Sequence, residues 1–224
     1  MSLLVLYTIL PTFLREWWGN FFGATFMTDR VIVFIDYENL RFSAIDCFHH
    51  FGASHTDGNV DPGILGDLLV GRRNRPSELT QVRVYRGRPS PVRQPSAASA
   101  NAVRETGWRF DPKVEIIHRD IRYPKNYPAS PAQEKGVDVA LAVDFVRLAF
   151  QGAYDVGIMV TRDTDLIPAL ETVVELSLAH VEVAAWRNTT RLAFPGTQLP
   201  WCHRLGRDDY ESIRDQTDYL KDRG

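Results

Sequence analysis

The sequence predicts an α/β fold in which helices flank a doubly wound parallel sheet. Short apolar runs rich in β-branched residues alternate with segments of helix length, which is typical of consecutive βαβ units. The run at residues 31–36 is apolar until its last residue, as expected for a strand at the centre of such a sheet. No repeat or low-complexity tract interrupts the alternation, so we expect one large domain.

Five strands and four long helices follow from this pattern. The predicted strands are residues 31–36, 81–85, 114–118, 156–161 and 181–186. The predicted helices between and after them are residues 61–72, 92–106, 136–151 and 165–178. We expect the strand order 3-2-1-4-5, in which the first and fourth strands are neighbours.

The chain divides into three segments. Residues 1–28 form an N-terminal extension, residues 29–190 the predicted domain, and residues 191–224 a C-terminal loop and helix that we expect to pack on the domain. The apolar stretch of the extension, about 12 residues broken by Pro11, is shorter than the roughly 20 residues that span a membrane. We therefore expect neither a membrane anchor nor chemistry from the extension.

Cysteine content and charge indicate the cellular compartment of the protein and the kinds of partner it can bind. Cys47 and Cys202 stand in unrelated contexts, which fits a reducing compartment, and we expect the protein to be cytoplasmic. The formal net charge is -2, yet residues 71–93 hold seven arginines against the single acid Glu78. Such a segment indicates either a surface for nucleic acid or another polyanion, or a solvated arginine-rich face.

Carboxylates follow two of the predicted strands. Asp36 closes the first strand, and Asp163 and Asp165 follow the fourth. Ligands of open parallel sheets bind outside the carboxyl ends of the strands, near the point where the strand order reverses. If these two strands are neighbours, their acidic residues converge at that point.

A third acidic position comes from the predicted helix 136–151. At about 100° per residue, Asp138 lies on the apolar face of this helix, where a carboxylate without a cation is costly. Asp144 lies on another side with Arg147, and an ion pair between residues i and i+3 accounts for it. Asp138 is therefore the better candidate for a functional carboxylate.

The residue types predict a site for a hard divalent ion. Asp36, Asp138 and Asp163, with Asn39 and Asp165 nearby, offer only oxygen ligands, which favour Mg²⁺ or Mn²⁺ over zinc. Such ions assist phosphoryl chemistry. Helix capping is the alternative explanation for Asn39 and Asp165.

Three segments of the chain form a set: VFIDYENL at residues 33–40, EKGVDVALAVDFV at residues 134–146 and VTRDTDLIPALE at residues 160–171. Together they resemble the signature of the NYN domain, a PIN-like nuclease fold, and in particular its LabA-like branch. The resemblance covers about residues 29–190. It implies a metal-dependent ribonuclease with catalytic acids and metal ligands at Asp36, Asp138 and Asp163, and with further matching residues at Asp165, Asn39, Asp144, Thr161 and Thr164.

The third segment departs from the family pattern at one position. Where the family usually reads Ser-Gly-Asp-Ser-Asp-Phe, this chain reads Thr-Arg-Asp-Thr-Asp-Leu at residues 161–166. Both hydroxyls and both acids are kept, whereas Arg162 replaces glycine. The arginine removes backbone freedom beside the site, and we expect it either to clamp the scissile phosphate or to crowd the metal.

Basic and aromatic residues predict contacts with single-stranded RNA. In such complexes cations bind the phosphates and aromatic faces stack on the bases. The candidates are Arg86, Arg88, Arg122, Tyr123, Lys125, Lys135 and Arg162. The alternative for the tyrosine is that it packs the proline-rich loop around it.

Two other classes of function stay open. An RNA-binding or scaffold protein on the same fold, with weak or no catalysis, is the main alternative because of Arg162. A haloacid-dehalogenase-like phosphatase also places an aspartate at the end of its first strand, but it requires a second aspartate where this chain has Glu38. Single-stranded RNA is the expected partner, and a homo-oligomer is also compatible with the sequence.

Overall fold

The helices and strands lie close to their predicted positions. The computed structural model of the protein describes residues 28–49, 54, 56–189, 192 and 200–219. The strands are β1 (Asp29–Asp36), β2 (Ser77–Arg88), β3 (Val114–Asp120), β4 (Val156–Val160), β5 (His180–Trp186) and β6 (Trp201–Leu205). The helices are α1 (Tyr37–Phe48), α2 (Pro62–Gly71), α3 (Pro95–Trp108), α4 (Val137–Phe150), α5 (Ile167–Glu175) and α6 (Arg207–Ile213), and a 3₁₀ turn at Thr164–Leu166 precedes α5.

The six strands form one parallel sheet in the order β3-β2-β1-β4-β5-β6. This order confirms the predicted doubly wound sheet and the predicted arrangement of its first five strands. The chain leaves β1 in one direction along the sheet and returns to its other side at β4. The strand order therefore reverses between β1 and β4, where an open parallel sheet places its ligands.

Burial on both faces explains why β1 is apolar almost throughout. Val31, Val33 and Ile35 belong to the core beneath α1, α2 and α6, whereas Ile32 and Phe34 belong to the core beneath α4 and α5. Successive side chains of a strand point to opposite faces, so a strand covered on both sides has no polar positions to spare. After Asp29 and Arg30 at its start, the next polar residue of β1 is Asp36, where the strand leaves the sheet.

Asp144 fixes α4 to the sheet. Its Oδ2 accepts hydrogen bonds from the Arg83 guanidinium and from the Tyr85 hydroxyl of β2, each at 2.9 Å. Its Oδ1 lies 2.7 Å from Arg147 Nη2, which is the i,i+3 pair expected from the sequence. Because α4 is held in this way, the position of its first turn, which carries Asp138, is set by the sheet.

The C-terminal part of the chain contains a strand that the sequence did not predict. Residues 191–224 were expected to form a loop and a helix, and α6 is such a helix, but β6 also pairs with β5. The sequence of β6, WCHRL, contains no apolar run, and Trp201 is exposed, as is common at the edge of a sheet. The domain boundaries themselves stay a prediction.

Expectations about the N-terminal extension fall on residues 1–27, which lie outside the described residues. Within the described ranges, no helix has both the length and the apolar character needed to cross a membrane.

A buried ion cluster lies near the amino ends of the strands. The Arg73 side chain is only 4% exposed, lies 2.8 Å from Asp29 Oδ2 and also pairs with Glu182 of β5. His203 of β6 lies 2.7 Å from the other carboxylate oxygen of Glu182. The cluster therefore joins the segment after α2 to β1, β5 and β6 on the side of the sheet away from the carboxyl ends.

Glu182→Gln should lower the free energy of unfolding by about 3 kcal/mol, because it leaves buried Arg73 without one of its carboxylate partners. Burial alone would raise the pKa of Glu182, but hydrogen bonds from His180 and His203 and the charge of Arg73 lower it from 4.5 to about 2. The stabilisation by the charged form is therefore complete above pH 4.5 and is lost as the pH falls towards 2. Urea unfolding of the parent and the variant across this range measures the effect.

Glu175→Gln provides the matched control, because Glu175 is exposed at the end of α5. Its free energy of unfolding should stay within about 0.5 kcal/mol of the parent at each pH. A difference between the parent and Glu182→Gln that does not shrink as the pH falls would contradict the charged role of Glu182.

Candidate functional site

An acidic cleft opens at the carboxyl ends of β1 and β4. Its volume is about 200 Å³, and its lining consists of Asp36, Glu134, Gly136, Val137, Asp138 and Asp163. The structure thus brings together the three aspartates predicted as catalytic acids and adds a fourth carboxylate. Their position in one cleft is observed, whereas their roles stay predictions.

Hydrogen bonds hold Asp36 at the end of β1. Its Oδ1 accepts the Asn39 N–H at 3.3 Å, and its Oδ2 accepts the Thr161 hydroxyl at 3.3 Å. Ile35 pairs with Val160 in the sheet, so the next residues of both strands, Asp36 and Thr161, lie side by side. Pairing of β1 with β4 therefore sets the orientation of this carboxylate.

Asp163 is held within the loop between β4 and α5. Its N–H donates to Thr161 Oγ1 at 3.1 Å, and its Oδ1 accepts the Asp165 N–H at 2.9 Å. Asn39 of α1 accepts the Arg162 N–H at 3.1 Å through its Oδ1 and so ties the loop to the first helix. The loop that carries Asp163 is therefore fixed from both sides.

The two strand-end aspartates cap the elements that follow them. Asp36 is the N-cap of α1, and Asp163 is the N-cap of the 3₁₀ turn. Capping is therefore not the role of Asn39 or Asp165, for which it was the alternative explanation. Each cap uses Oδ1 of the aspartate, which leaves Oδ2 turned to other partners.

Asp138 reaches the acidic cleft from the first turn of α4. Gly136, directly before this helix, has φ +76°, a left-handed conformation that favours glycine. The turn places Asp138 in the cleft and Val137 in the core. The positive end of the helix dipole also favours a carboxylate at this position.

Glu134 belongs to the acidic cleft but was not among the predicted site residues. Its Oε1 accepts the Gly87 N–H at 2.6 Å, and its side chain lies directly against the Gly87 backbone. A Cβ at residue 87 would lie 2.8 Å from Cγ and Cδ of Glu134. Glu134 stands in the quoted segment EKGVDV, but spacing along the chain gives no sign of its contact with a residue 47 positions earlier.

Burial and mutual repulsion act on the carboxylates of the cleft, whose lining includes no Lys or Arg among the described residues. Burial raises the pKa of Asp36 to about 7, the hydrogen bonds to Asp36 oppose this, and the charges of Glu134 and Asp163 add to it. Burial, together with the nearby charge of Glu38, also raises the pKa of Glu134. Carboxylates raise one another's pKa in this way unless positive charge is supplied. The acidic cleft therefore favours a bound cation.

The chemistry of the donors fits Mg²⁺ or Mn²⁺, because each charged side chain in the cleft offers carboxylate oxygens. In the part of the chain that the structure describes, no three His, Cys, Asp or Glu side chains are already arranged to hold a metal ion. Asp36, Asp138 and Asp163 nevertheless line one cleft. Binding of an ion would thus require these side chains to turn towards a common centre.

Other predicted site residues lie around the cleft. Thr161 is buried and bonds to Asp36, as expected of a supporting residue. Thr164 and Asp165 are exposed and do not line the cleft. Asp165 contributes a backbone N–H to Asp163, and its role as a metal ligand stays a prediction.

The side chain of Arg162 is directed to α1 and not to the acidic cleft. Its Nη2 lies 3.5 Å from Asp46 Oδ2, and Arg162 is not part of the lining of the cleft. Among the described residues other than glycine, a positive φ occurs only at Ser177. Arg162 thus adopts a conformation open to any residue, and the structure shows neither crowding of the cleft nor a loss of required backbone freedom.

Arg86, predicted to contact RNA, is buried and paired inside the protein, and its contact with RNA stays a prediction. Its side chain is 3% exposed and donates to Glu38 Oε1 at 3.0 Å and to Asn101 Oδ1 at 3.1 Å. The guanidinium also lies over the rings of Tyr37 and Trp108. These contacts explain the burial, which the arginine-rich sequence around it does not reveal.

A basic groove adjoins the acidic cleft. Its volume is about 490 Å³, and its lining consists of Arg119, Asp120, Ile121, Arg122, Lys135, Gly136 and Val139. Gly136 lines both the groove and the cleft. Two predicted RNA-binding residues, Arg122 and Lys135, therefore lie next to the carboxylates.

The remaining RNA-binding candidates have different surroundings. Arg88 is exposed and pairs with Asp120 at 2.8 Å. Tyr123 accepts a backbone N–H and donates to Gln94 Oε1 at 2.7 Å, so it packs its loop as the alternative explanation requires. Lys125 is exposed in the same loop.

Comparison with known proteins identifies the family. The family model described as the NYN domain matches residues 30–193. A search of the curated proteins gives no match. A solved structure of a protein of unknown function from Vibrio parahaemolyticus is similar at 13% identity and a TM-score of 0.47, covering 73% of this chain and 85% of that chain. The family match confirms the resemblance at the level of the domain, and the LabA-like branch stays a prediction.

Gly87→Ala should lower the free energy of unfolding by about 1 to 3 kcal/mol, because the added Cβ overlaps the Glu134 side chain. In a Glu134→Ala background the same substitution should cost much less, since the obstructing side chain is gone. Urea unfolding of the four proteins in this cycle measures the coupling.

Gly107→Ala is the control for this cycle, because a Cβ there meets nothing within 4 Å. Alanine is favoured over glycine in a helix, so the stability of this variant should be unchanged or higher. Equal costs of Gly87→Ala with and without Glu134 would show that the two residues are not in contact.

Proposed function

The chain belongs to the NYN domain family, within the PIN-like nuclease superfamily, and we propose that it is a metal-dependent ribonuclease that hydrolyses phosphodiester bonds in single-stranded RNA. The observation that carries the proposal is the acidic cleft, in which Asp36, Asp138, Asp163 and Glu134 meet at the reversal point of the sheet. The basic groove beside it supplies the opposite charge that an RNA strand requires.

Asp36 and Asp163 are the main ion-binding residues in this proposal. The helix caps use one oxygen of each and thereby fix the direction of the other. Asp138 and Glu134 complete the acidic set from α4 and from the segment before it. Bound Mg²⁺ or Mn²⁺ would lower the pKa of an attacking water and would stabilise the charge on the phosphate.

The basic groove orients the RNA in this proposal. Arg122 and Lys135 bind backbone phosphates on one side of Gly136, and the carboxylates lie on its other side. A phosphate held by these cations would otherwise be repelled by the cleft. The cations of the groove therefore offset the electrostatic repulsion between the RNA phosphates and the carboxylates of the cleft.

A non-catalytic RNA-binding protein is the second candidate function. It is favoured by the absence, within the described residues, of a ready-made arrangement of three metal-binding side chains. Arg162 gives it less support than the sequence implied, because its side chain pairs with Asp46 away from the cleft. RNA binding without metal-dependent turnover would distinguish this candidate.

Phosphatase chemistry of the haloacid-dehalogenase type is disfavoured. Glu38, at the position of the required second acid, pairs with Arg86 at 3.0 Å and with Arg41 at 3.6 Å. A carboxylate held by two guanidinium groups is not free to reach a leaving group. We place the proposed ribonuclease in the cytoplasm.

Asp36→Asn and Asp163→Asn should each reduce Mn²⁺-dependent cleavage of a labelled single-stranded RNA by a factor of about 10² or more. Asparagine is also a good N-cap, so both variants should keep their fold. Chelator should abolish cleavage by the parent. RNA affinity measured in chelator should be equal or higher in both variants, because a negative charge facing the phosphates is lost.

Two controls accompany these variants. Asp208→Asn removes an exposed carboxylate on α6 and should leave cleavage unchanged. Arg162→Gly breaks the exposed pair with Asp46 and should change the rate by less than about fivefold. A loss of about 10² in Arg162→Gly would show a phosphate clamp. Cleavage that survives both chelator and Asp163→Asn would overturn the metal mechanism.

Arg122→Gln combined with Lys135→Gln should weaken RNA binding and lower the slope of log affinity against log salt concentration by about 1.4, since two phosphate contacts are lost. Fluorescence anisotropy in chelator at several salt concentrations measures the slope. Arg109→Gln is the control, because Arg109 is exposed after α3 and lines neither the groove nor the cleft. An unchanged slope in the double variant would exclude the basic groove from the RNA path.

A further inference from the structure

A second cavity lies beside the acidic cleft, between α1, the end of β2 and α3. Its volume is about 570 Å³, within the range of about 300 to 1,000 Å³ that is typical of small-ligand sites. Glu134 lines both this cavity and the acidic cleft, and Gly87, its hydrogen-bond donor, lines this cavity as well. We call it the Arg104 pocket, after one residue of its lining.

Arg104 is buried in this pocket, and the described part of the chain gives it no charge partner. The residue is 8% exposed. No carboxylate among the described residues forms an ion pair with it, and its Nε has no hydrogen-bond partner there. Its contact is with the ring of Tyr219, 5.1 Å from the Arg104 Cζ, and the Tyr219 hydroxyl itself bonds to Asp215. Among the described residues, no carboxylate therefore compensates the guanidinium charge.

Arg86, in the same lining, shows the contrast. It is as deeply buried, but it pairs with Glu38 at 3.0 Å and lies 3.7 Å from Glu105 Oε1. Burying a charge without such partners costs free energy, and an anion bound to Arg104 would offset that cost. Glu38 does not counter this, because Arg86 neutralises it, and Glu134 is shared with the acidic cleft.

The rest of the lining suits a nucleoside. Phe42 is 55% exposed and lines the pocket with an aromatic ring, over which the Arg41 guanidinium lies 5.2 Å from the centroid. Gln94 and Asn101 use their side-chain oxygens to accept from Tyr123 and Arg86, so within the described residues their amide NH₂ groups have no acceptor. Aromatic surfaces and amide donors are the groups with which proteins recognise unpaired bases.

We infer that the Arg104 pocket binds one nucleotide of a single-stranded RNA, with the phosphate of that nucleotide on the Arg104 guanidinium. The inference rests on the proposed function, because the adjoining cleft then acts on a neighbouring phosphodiester bond. An RNA presents this phosphate chemistry either at a phosphorylated 5′ end or within the strand. The two sources predict different affinities for an RNA whose 5′ end is a hydroxyl group.

Thermal unfolding with a nucleoside 5′-monophosphate, and with the matching nucleoside, tests the pocket without cleavage. In chelator the monophosphate should raise the Tm of the parent, and the nucleoside should raise it less. Arg104→Met keeps the unbranched apolar stem of the side chain but removes the guanidinium and its charge, together with the guanidinium contact to Tyr219. Its Tm without ligand should equal or exceed that of the parent, and the monophosphate should no longer shift it.

Two further variants keep this test decisive. Arg104→Lys retains a positive charge and should retain part of the shift, which separates loss of charge from loss of fold. Arg109→Met removes an exposed arginine outside the pocket and should retain the whole shift.

Anisotropy measurements in chelator with 3′-labelled RNAs distinguish the two sources. If the pocket holds a terminal phosphate, the parent should bind a 5′-phosphorylated RNA at least about tenfold more tightly than its 5′-hydroxyl form, and Arg104→Met should remove the preference. If it holds an internal phosphate, the parent should bind both RNAs equally, and Arg104→Met should weaken both by a similar factor. Either pattern supports the inference.

Several results would overturn it. The first is that the monophosphate does not shift the Tm of the parent. The second is that Arg104→Met binds as the parent does. The third is that Arg104→Met has a lower Tm but intact binding, which would show a packing role. The ribonuclease proposal is judged separately, since these measurements exclude the metal. If the parent shows Arg104-dependent binding but does not cleave RNA, only the ribonuclease proposal is refuted. If the parent cleaves RNA without Arg104-dependent binding, only the inference about the Arg104 pocket is refuted.

Discussion

Parallel pairing of β1 with β4 is the constraint on which the candidate site depends. The two strands run in the same direction and end side by side, so the residues that leave them meet at one edge of the sheet. Burial on both faces keeps the strands apolar up to that edge. Asp36 and the loop with Asp163 are the first polar groups beyond it, and the hydrogen bond from Thr161 to Asp36 closes the contact between them.

The distribution of arginines explains why the acidic cleft is left charged. Glu38 is neutralised by Arg86, and Asp144 by Arg83, so acidic residues close to the site in sequence are used to hold α1, β2 and α4 in place. In the described part of the chain, no cationic side chain lines the cleft. Basic residues line the adjoining groove, which shares Gly136 with the cleft. Acidic and basic side chains thus lie in two adjacent regions, as the proposed binding of a metal ion and of a phosphate chain requires.

The sequence predicted those parts of the structure that leave a local pattern. Apolar runs and helix-length segments defined the order of five strands, and strand-end carboxylates defined the place of Asp36 and its neighbours. β6 was missed because an edge strand needs no apolar run. The contact between Glu134 and Gly87 and the burial of Arg86 depend on how distant segments pack, so composition and spacing contain no signal for them.

Arg162 shows that the conformation of the loop beside the cleft does not depend on the side chain at this position. What the loop requires at this position is a backbone N–H for Asn39, and any residue except proline offers one. The conformation does not need glycine, and the arginine side chain finds Asp46 on the outer side of α1. A change from glycine to a long cation can therefore leave the carboxylates of the cleft in place, because the atoms that position Asp163 belong to Thr161 and to the backbone of Asp165.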